Sequence, residues 1–258
     1  MYPDLFGIEG FSMTLMILIG AIAALAEVLF FLKSRKKVKT NYVDLLITMV
    51  FTVLIGIVGT IIFENIYEAI KHAVYHEPQA WTWGMTFYGG LIFGVVAFLL
   101  LYRFFYLRHN EPILKEMLKI APASISLGHA FGRIGCLLSG CCYGKDTDAW
   151  YGIMLPGHEH PTIPTQVIEM IFLFILATIL AILAFKQITN YTFSIYMVSY
   201  GVFRFIIEFF RGDERGQLAG LSPSQYICIA LVIGAGVLFY FYKTKIFAEV
   251  KQDDVKAQ

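Results

Sequence analysis

Hydrophobic residues fall along this chain in long blocks, not in the alternating or one-faced patterns of a water-soluble fold. Seven blocks stand out: Phe11 to Leu32, Tyr42 to Ile66, Thr82 to Phe105, Ile120 to Cys142, Pro164 to Phe185, Tyr191 to Phe210 and Ser224 to Tyr242. Each approaches or exceeds the roughly 20 residues that cross a bilayer as a helix. The pattern predicts an all-α, polytopic integral membrane protein with about seven transmembrane helices, forming a single membrane-embedded domain over residues 1–258. The first block follows acidic Asp4 and Glu9 and ends in cations, the reverse of a signal peptide, so it is expected to be retained.

The fourth block is the irregular one. Gly128, Gly132, Gly135 and Gly140 interrupt it together with His129 and Arg133, which predicts a broken or re-entrant segment lining an enclosed cavity. Loop cations give the orientation. Lys33, Arg35, Lys36, Lys37 and Lys39 follow the first block; Arg103, Arg108, Lys115 and Lys119 follow the third; Lys186 follows the fifth; and Lys243, Lys245, Lys251 and Lys256 follow the seventh. The alternate loops hold only Lys71, Lys145, Arg211 and Arg215. By the positive-inside rule the N-terminus lies outside and the C-terminus in the cytoplasm. Trp81, Trp83, Trp150 and Tyr151 then fall where an interfacial aromatic belt is expected.

Composition agrees, with 58% hydrophobic and 15% charged residues. A formal net charge of +1 offers nothing to attract nucleic acid, so the few cations matter by position.

Two cations sit inside predicted spans. An arginine at membrane depth costs roughly 3 kcal/mol even on lenient insertion scales, so Arg133 and Arg204 must face protein or water. Glu208, one helical turn after Arg204, supplies a neutralising partner, or frees Arg204 to help hold an anion. Arg133 has no carboxylate within a turn and stands in Gly132-Arg133-Ile134-Gly135. Its planar fork suits a phospholipid phosphate. The competing expectation is a pair with a distant carboxylate such as Glu169, the glycines serving helix packing.

Arg211 is expected at phosphate depth beyond the sixth block, and Pro164, Thr165, Gln166 and Glu169 open the fifth on the same outer side. His129 precedes Arg133 by one turn and is a candidate general base or a satisfied core histidine. His158 and His160 flank Glu159 without further ligands at a metal-site spacing, so a solvated loop is expected there. Cys136, Cys141 and Cys142 have neither a zinc-ribbon nor a thioredoxin spacing; inert thiols, a disulfide and a redox role all remain open, and Cys228 stands apart.

Taken in order, Gly132-Arg-Ile-Gly135 with Gly140, Tyr143 and Gly144, then Pro164-Thr-Gln166 with Glu169, then Gly201-x-x-Arg-Phe-Ile-Ile-Glu-Phe-Phe-Arg211 resemble the prolipoprotein diacylglyceryl transferase family. Tyr88-Gly-Gly-Leu91 is a weaker third anchor. The resemblance implies a multi-pass enzyme of the bacterial inner or plasma membrane that moves the diacylglyceryl group of phosphatidylglycerol to the lipobox cysteine of a prolipoprotein, releasing glycerol phosphate. It implies no metal and no dissociable cofactor. Arg133 and Arg211 match the family's motif arginines and are the expected catalytic clamp, with Glu208 orienting one of them. Tyr88, Gly89, Gly132, Gly135, Gln166, Glu169, Arg204 and Glu208 are the expected substrate-binding set.

The chain also departs from the family pattern. Tyr88 stands where the family usually has a histidine, and Cys136-Leu-Leu-Ser139-Gly-Cys141 stands where it has an Asn-Phe-x-Asn-Gly-Glu stretch. His129 is then the candidate for the missing base. Two alternatives remain: the same lipid donor with another acceptor, or a noncatalytic lipid-binding or redox-responsive membrane protein.

Overall fold

The computed structural model describes residues 11–35, 41–75, 87–105, 114–155, 158–212 and 220–243. These hold seven α-helices: α1 (Phe11–Ser34), α2 (Tyr42–Tyr75), α3 (Phe87–Phe105), α4 (Leu114–Leu138), α5 (Thr165–Phe185), α6 (Thr192–Ile207) and α7 (Pro223–Phe241). A 3-10 turn, Glu208–Phe210, continues α6. Among the described residues there is no β-strand, only isolated bridges. Five helices are long and apolar enough to cross a membrane, those containing Ser12–Ser34, Tyr42–Ile70, Thr165–Phe185, Thr192–Phe210 and Pro223–Phe241. Trp81, Trp83, Arg108 and Arg215 lie outside the described residues.

Each helix grows from one hydrophobic block, but helix ends and block ends differ. Hydropathy stops where charge appears, whereas Glu64, Asn65, Glu68 and Lys71 do not prevent α2 from running on to Tyr75. Likewise α4 begins at Leu114, so Lys115 and Lys119 belong to its first turns instead of a loop.

The chain divides into two compact units, residues 32–115 and residues 1–31 with 116–258. In the first, α2 and α3 pack through glycines. A Cβ on Gly90 would stand 2.8 Å from Thr60 Cγ2 and one on Gly56 3.3 Å from the Gly90 carbonyl, while one on Gly89 would strike the Gly59 carbonyl and Phe63. Small residues permit this approach where no hydrophobic force separates helix from lipid.

The second unit corrects the expectation for the fourth block. α4 is one unbroken helix from Leu114 to Leu138. Its glycines buy proximity instead: a Cβ on Gly20 of α1 would lie 2.9 Å from the Gly128 carbonyl, and one on Gly135 3.2 Å from Met13 Cα. Gly132 is different, because a Cβ there would meet nothing within 4 Å.

Pro122 inside α4 removes the N–H that would bond the Leu118 carbonyl and crowds that turn. Thr192, the first residue of α6, compensates: its hydroxyl donates to the Lys119 carbonyl at 2.8 Å and reaches that of Leu118 at 3.5 Å. The proline thereby ties α4 to the start of α6. Toward the same end, Lys119 donates to both Glu116 and Gln187 at 2.7 Å.

α5 buries Leu173, Leu176, Ala177, Leu180 and Ala184, yet its opposite stripe, Ile168, Ile171, Ile175, Ile179 and Ile182, is apolar and exposed. A helix hydrophobic all round suits lipid on its outer side. Phe172 stacks on Phe203 of α6 with ring centroids 3.8 Å apart. Gly201 lets α7 close in, since a Cβ there would stand 3.2 Å from the Cys228 carbonyl.

Candidate functional site: a buried arginine and glutamate cluster beside three thiols

Glu169, one turn into α5 and with a fully buried side chain, is the centre of the site. Its Oε1 lies 2.9 Å from Arg133 Nη2 of α4 and accepts the Tyr200 hydroxyl of α6 at 3.1 Å. His129 Nε2 stands 3.8 Å from the same oxygen. Oε2 faces Arg204 Nη1 at 3.7 Å. Arg204 in turn holds Glu208 Oε2 through Nη2 at 2.7 Å. One carboxylate thus serves two guanidiniums, one of which has a second carboxylate to itself.

Local sequence explains the convergence. On α4, His129 and Arg133 are one turn apart and share a face, and on α6 the series Tyr196, Tyr200, Arg204, Glu208 repeats every four residues. Tyr196 and Tyr200 stack with centroids 5.8 Å apart, and the His129 ring meets Tyr200 edge-on at 5.3 Å. Glu208 is fixed from beyond α6. Ser222 caps α7 in a reciprocal capping box with Gln225, and its hydroxyl donates to Glu208 Oε1 at 2.9 Å.

After α4 the chain turns at Gly140 (φ 68°), and Cys142 also has a positive φ of 63°. The first turn of α5 grips this turn from outside: Gln166 Nε2 donates to the Cys141 carbonyl at 2.7 Å and the Thr165 hydroxyl to that of Cys142 at 2.9 Å. The sulfurs of Cys136, Cys141 and Cys142 all lie within 4.8 Å of one another. All four cysteines are free thiols, and Cys228 is buried separately in α7.

Three backbone segments then interlock. Gly144 N–H donates to the Ile163 carbonyl at 3.0 Å, Ile163 N–H to Lys145 at 2.9 Å, Lys145 N–H to Phe210 at 2.9 Å and Gly212 N–H to Tyr143 at 3.2 Å. There is no room for a side chain at the crossing, where a Cβ on Gly144 would lie 2.6 Å from the Ile163 carbonyl and 2.8 Å from that of Phe210. This clasp joins the ends of α4 and α6 to the start of α5 and sets Arg211 against the cysteine turn. Arg211 is 7% exposed, and its guanidinium hydrogen-bonds the Cys142 sulfur. Arg133 lies within electrostatic reach of Cys136 and Cys142.

Of the residues marked in the sequence, His129, Arg133, Glu169, Arg204 and Glu208 form one cluster, while Arg211 and Gln166 meet at the cysteine turn beside it. The distant pair foreseen for Arg133 forms with Glu169, and the local pair foreseen for Arg204 forms with Glu208. Gly135 is a packing glycine, whereas Gly132 borders open space. Tyr88 and Gly89 lie on α3, in the unit of residues 32–115. His158 packs edge-on against Tyr143 with centroids 4.1 Å apart, and His160 is exposed. Tyr200 and Ser222 were not foreseen; the four-residue series on α6 carries the signal for Tyr200, and the Ser-Pro-x-Gln cap carries it for Ser222.

Comparison with known proteins places these features in one group. The family model for prolipoprotein diacylglyceryl transferase matches residues 4–242. The chain is 34% identical over 252 residues to phosphatidylglycerol–prolipoprotein diacylglyceryl transferase 2 of Clostridium perfringens, covering 94% of each chain. It is 34% identical over 244 residues to the phosphatidylglycerol–prolipoprotein diacylglyceryl transferase of Clostridium tetani, covering 89% of this chain and 92% of that one. A relative of the same name from Dehalococcoides mccartyi is 28% identical over 242 residues. Every residue of the buried cluster lies inside the matched span, and the chain belongs to the prolipoprotein diacylglyceryl transferase family.

Proposed function

We propose that the protein transfers the diacylglyceryl group of phosphatidylglycerol to the lipobox cysteine thiol of a prolipoprotein, and that the cluster around Glu169 is where the lipid phosphate is held. The observation that carries this is the shared carboxylate: Glu169 Oε1 already takes Arg133 and Tyr200, with His129 Nε2 3.8 Å away, and the Arg133 Nε atom is buried with no hydrogen-bond partner among the described residues. With Arg211 beside it the site carries three guanidiniums against two carboxylates, and an unspent donor on Arg133 beside the open side of Gly132 suits an anion.

In the reaction the acceptor thiolate attacks the glyceryl carbon, the carbon–sulfur bond forms, and the carbon–oxygen bond to phosphate breaks with its electrons leaving on oxygen. Charge grows on the leaving phosphate, so Arg133 and Arg211 stabilise the transition state more than the bound lipid. Glu169 holds Arg133 in place, Glu208 pairs with Arg204 and, among the described residues, with neither clamp arginine, and Gln166 steadies the turn that Arg211 contacts. Residues 1–258 work as one transferase domain crossing the membrane seven times, with the N-terminus outside. The loop cations support this orientation, which puts the clasp and the cysteine turn at the outer face.

The test uses purified protein, headgroup-labelled phosphatidylglycerol and a lipobox peptide. Release of glycerol phosphate coupled to a thioether on the peptide is expected. Release without peptide lipidation means a different acceptor, and intact lipid that merely co-purifies means a binding protein.

A further inference from the structure

Three polar side chains at the heart of the site are left without a task by the lipid clamp. Cys136 is in the last turn of α4, and Cys141 and Cys142 follow Gly140, yet their three sulfurs come within 4.8 Å of one another. That proximity is imposed by backbone. Cys142 has a left-handed φ of 63°, a conformation rarely adopted outside glycine, and such strain persists only where the surroundings enforce it. Here the Cys141 N–H returns to the Cys136 carbonyl at 3.1 Å, while Gln166 and Thr165 bind the Cys141 and Cys142 carbonyls. Thiolates on one zinc ion, at bonds of about 2.3 Å, would stand about 3.8 Å apart, within the observed spread.

On the basis of the transferase function above, we infer that Cys136, Cys141 and Cys142 hold a zinc ion whose fourth position receives the acceptor thiol. Three thiolates on a divalent cation carry one excess negative charge, and Arg211 on the Cys142 sulfur, with Arg133 nearby, is placed to offset it. The site also answers the question of the missing base. Arginines cannot accept a proton, Tyr88 stands where the family has a histidine, and His129, the other candidate, faces Glu169 at 3.8 Å and packs edge-on against Tyr200. A thiol bound to zinc is deprotonated outright, so the acceptor gives its proton to solvent as it displaces water, and no side chain must take it. Its sulfur then attacks the glyceryl carbon, the carbon–oxygen bond breaks, and the electron pair leaves on the phosphate. The product thioether is neutral and a weaker ligand, and water takes its place on the metal.

The test is cobalt(II) substitution of the purified full-length protein in detergent, with a lipobox-cysteine peptide as the thiol. Expected are one cobalt per chain and a sulfur-to-cobalt charge-transfer band. The band should be lost in Cys136→Ser, Cys141→Ser and Cys142→Ser and kept in Cys228→Ser. The peptide should shift it, and its serine version should not. The metal site is overturned by a band indifferent to the three cysteines, by no band at all, or by a disulfide between two of them in protein purified without oxygen. A band that ignores the peptide overturns the acceptor role. Full peptide lipidation by metal-stripped protein defeats the inference and leaves the transferase function standing. A thiol-sensitive metal site in a protein that never turns over phosphatidylglycerol does the opposite.

Discussion

Arg133 Nη2 lies 2.9 Å from Glu169 Oε1, so the arginine marked by its glycine-flanked motif is held by a carboxylate from the next helix. Arg204 approaches the other oxygen of the same group at 3.7 Å. Glu169→Gln removes the charge and keeps the shape, leaving Arg133 without a counter-ion. Breaking one side of a buried ion pair costs about 3–5 kcal/mol. Thermal unfolding of the purified protein should show a clearly lower midpoint for Glu169→Gln. An unchanged midpoint would mean that Glu169 is not the hub.

The two buried arginines should separate when stability and turnover are measured side by side. Arg133→Ala leaves Glu169 facing Arg204 and Tyr200, so the fold should survive while headgroup release falls about 100- to 1,000-fold, the usual cost of losing one donor to a developing oxyanion. Arg204→Ala strands Glu208, whose remaining partner is Ser222, and should depress the unfolding midpoint more than Arg133→Ala does. Equal turnover in wild type and Arg133→Ala would remove Arg133 from the chemistry.

Gly144 and Gly132 predict opposite outcomes for the same substitution. Gly144→Ala forces a methyl to within 2.6 Å of the Ile163 carbonyl, which must spread the clasp and move Arg211, so turnover and thermal stability should both drop. Gly132→Ala meets nothing within 4 Å, and the fold should be unaffected. A methyl added on the open side should instead raise KM for lipid. Comparison of KM, kcat and melting midpoint for the two variants checks both statements.

Thr192→Val keeps the shape at the start of α6 but deletes the donor shared by the Lys119 carbonyl and the Leu118 carbonyl, the second of which Pro122 frees. An unsatisfied buried acceptor costs about 1–3 kcal/mol. The loss should appear in thermal unfolding and be relieved by Pro122→Ala, which restores an N–H within α4. No recovery in the double variant would show that the hydroxyl acts elsewhere.

The seven helices were legible because lipid removes the need for amphipathic patterning and leaves whole blocks apolar. Their ends were not, since helix propensity outlasts hydropathy in α2 and precedes it in α4. The continuity of α4 was hidden for a related reason. Gly128 and Gly135 read as breakers, but α1 approaches so closely that their missing side chains are filled by neighbouring backbone. In the site, the pairing of Arg204 with Glu208 follows from spacing alone. The pairing of Arg133 with Glu169 could be named only as one of two outcomes, because it depends on how α4 and α5 dock. The meeting of the three cysteines was legible only as one open alternative, a disulfide, since their close approach turns on a left-handed residue that no propensity favours.

The clasp around Gly144 has a mechanical consequence. Because the segments bearing the cysteine turn and Arg211 are stitched to each other and to the start of α5, neither can swing away alone. A jaw that opened to admit a protein substrate would carry Arg211 with it. With the lipid held as proposed above, entry of the acceptor and grip on the lipid would act as one movement, which would couple the order in which the two substrates are exchanged.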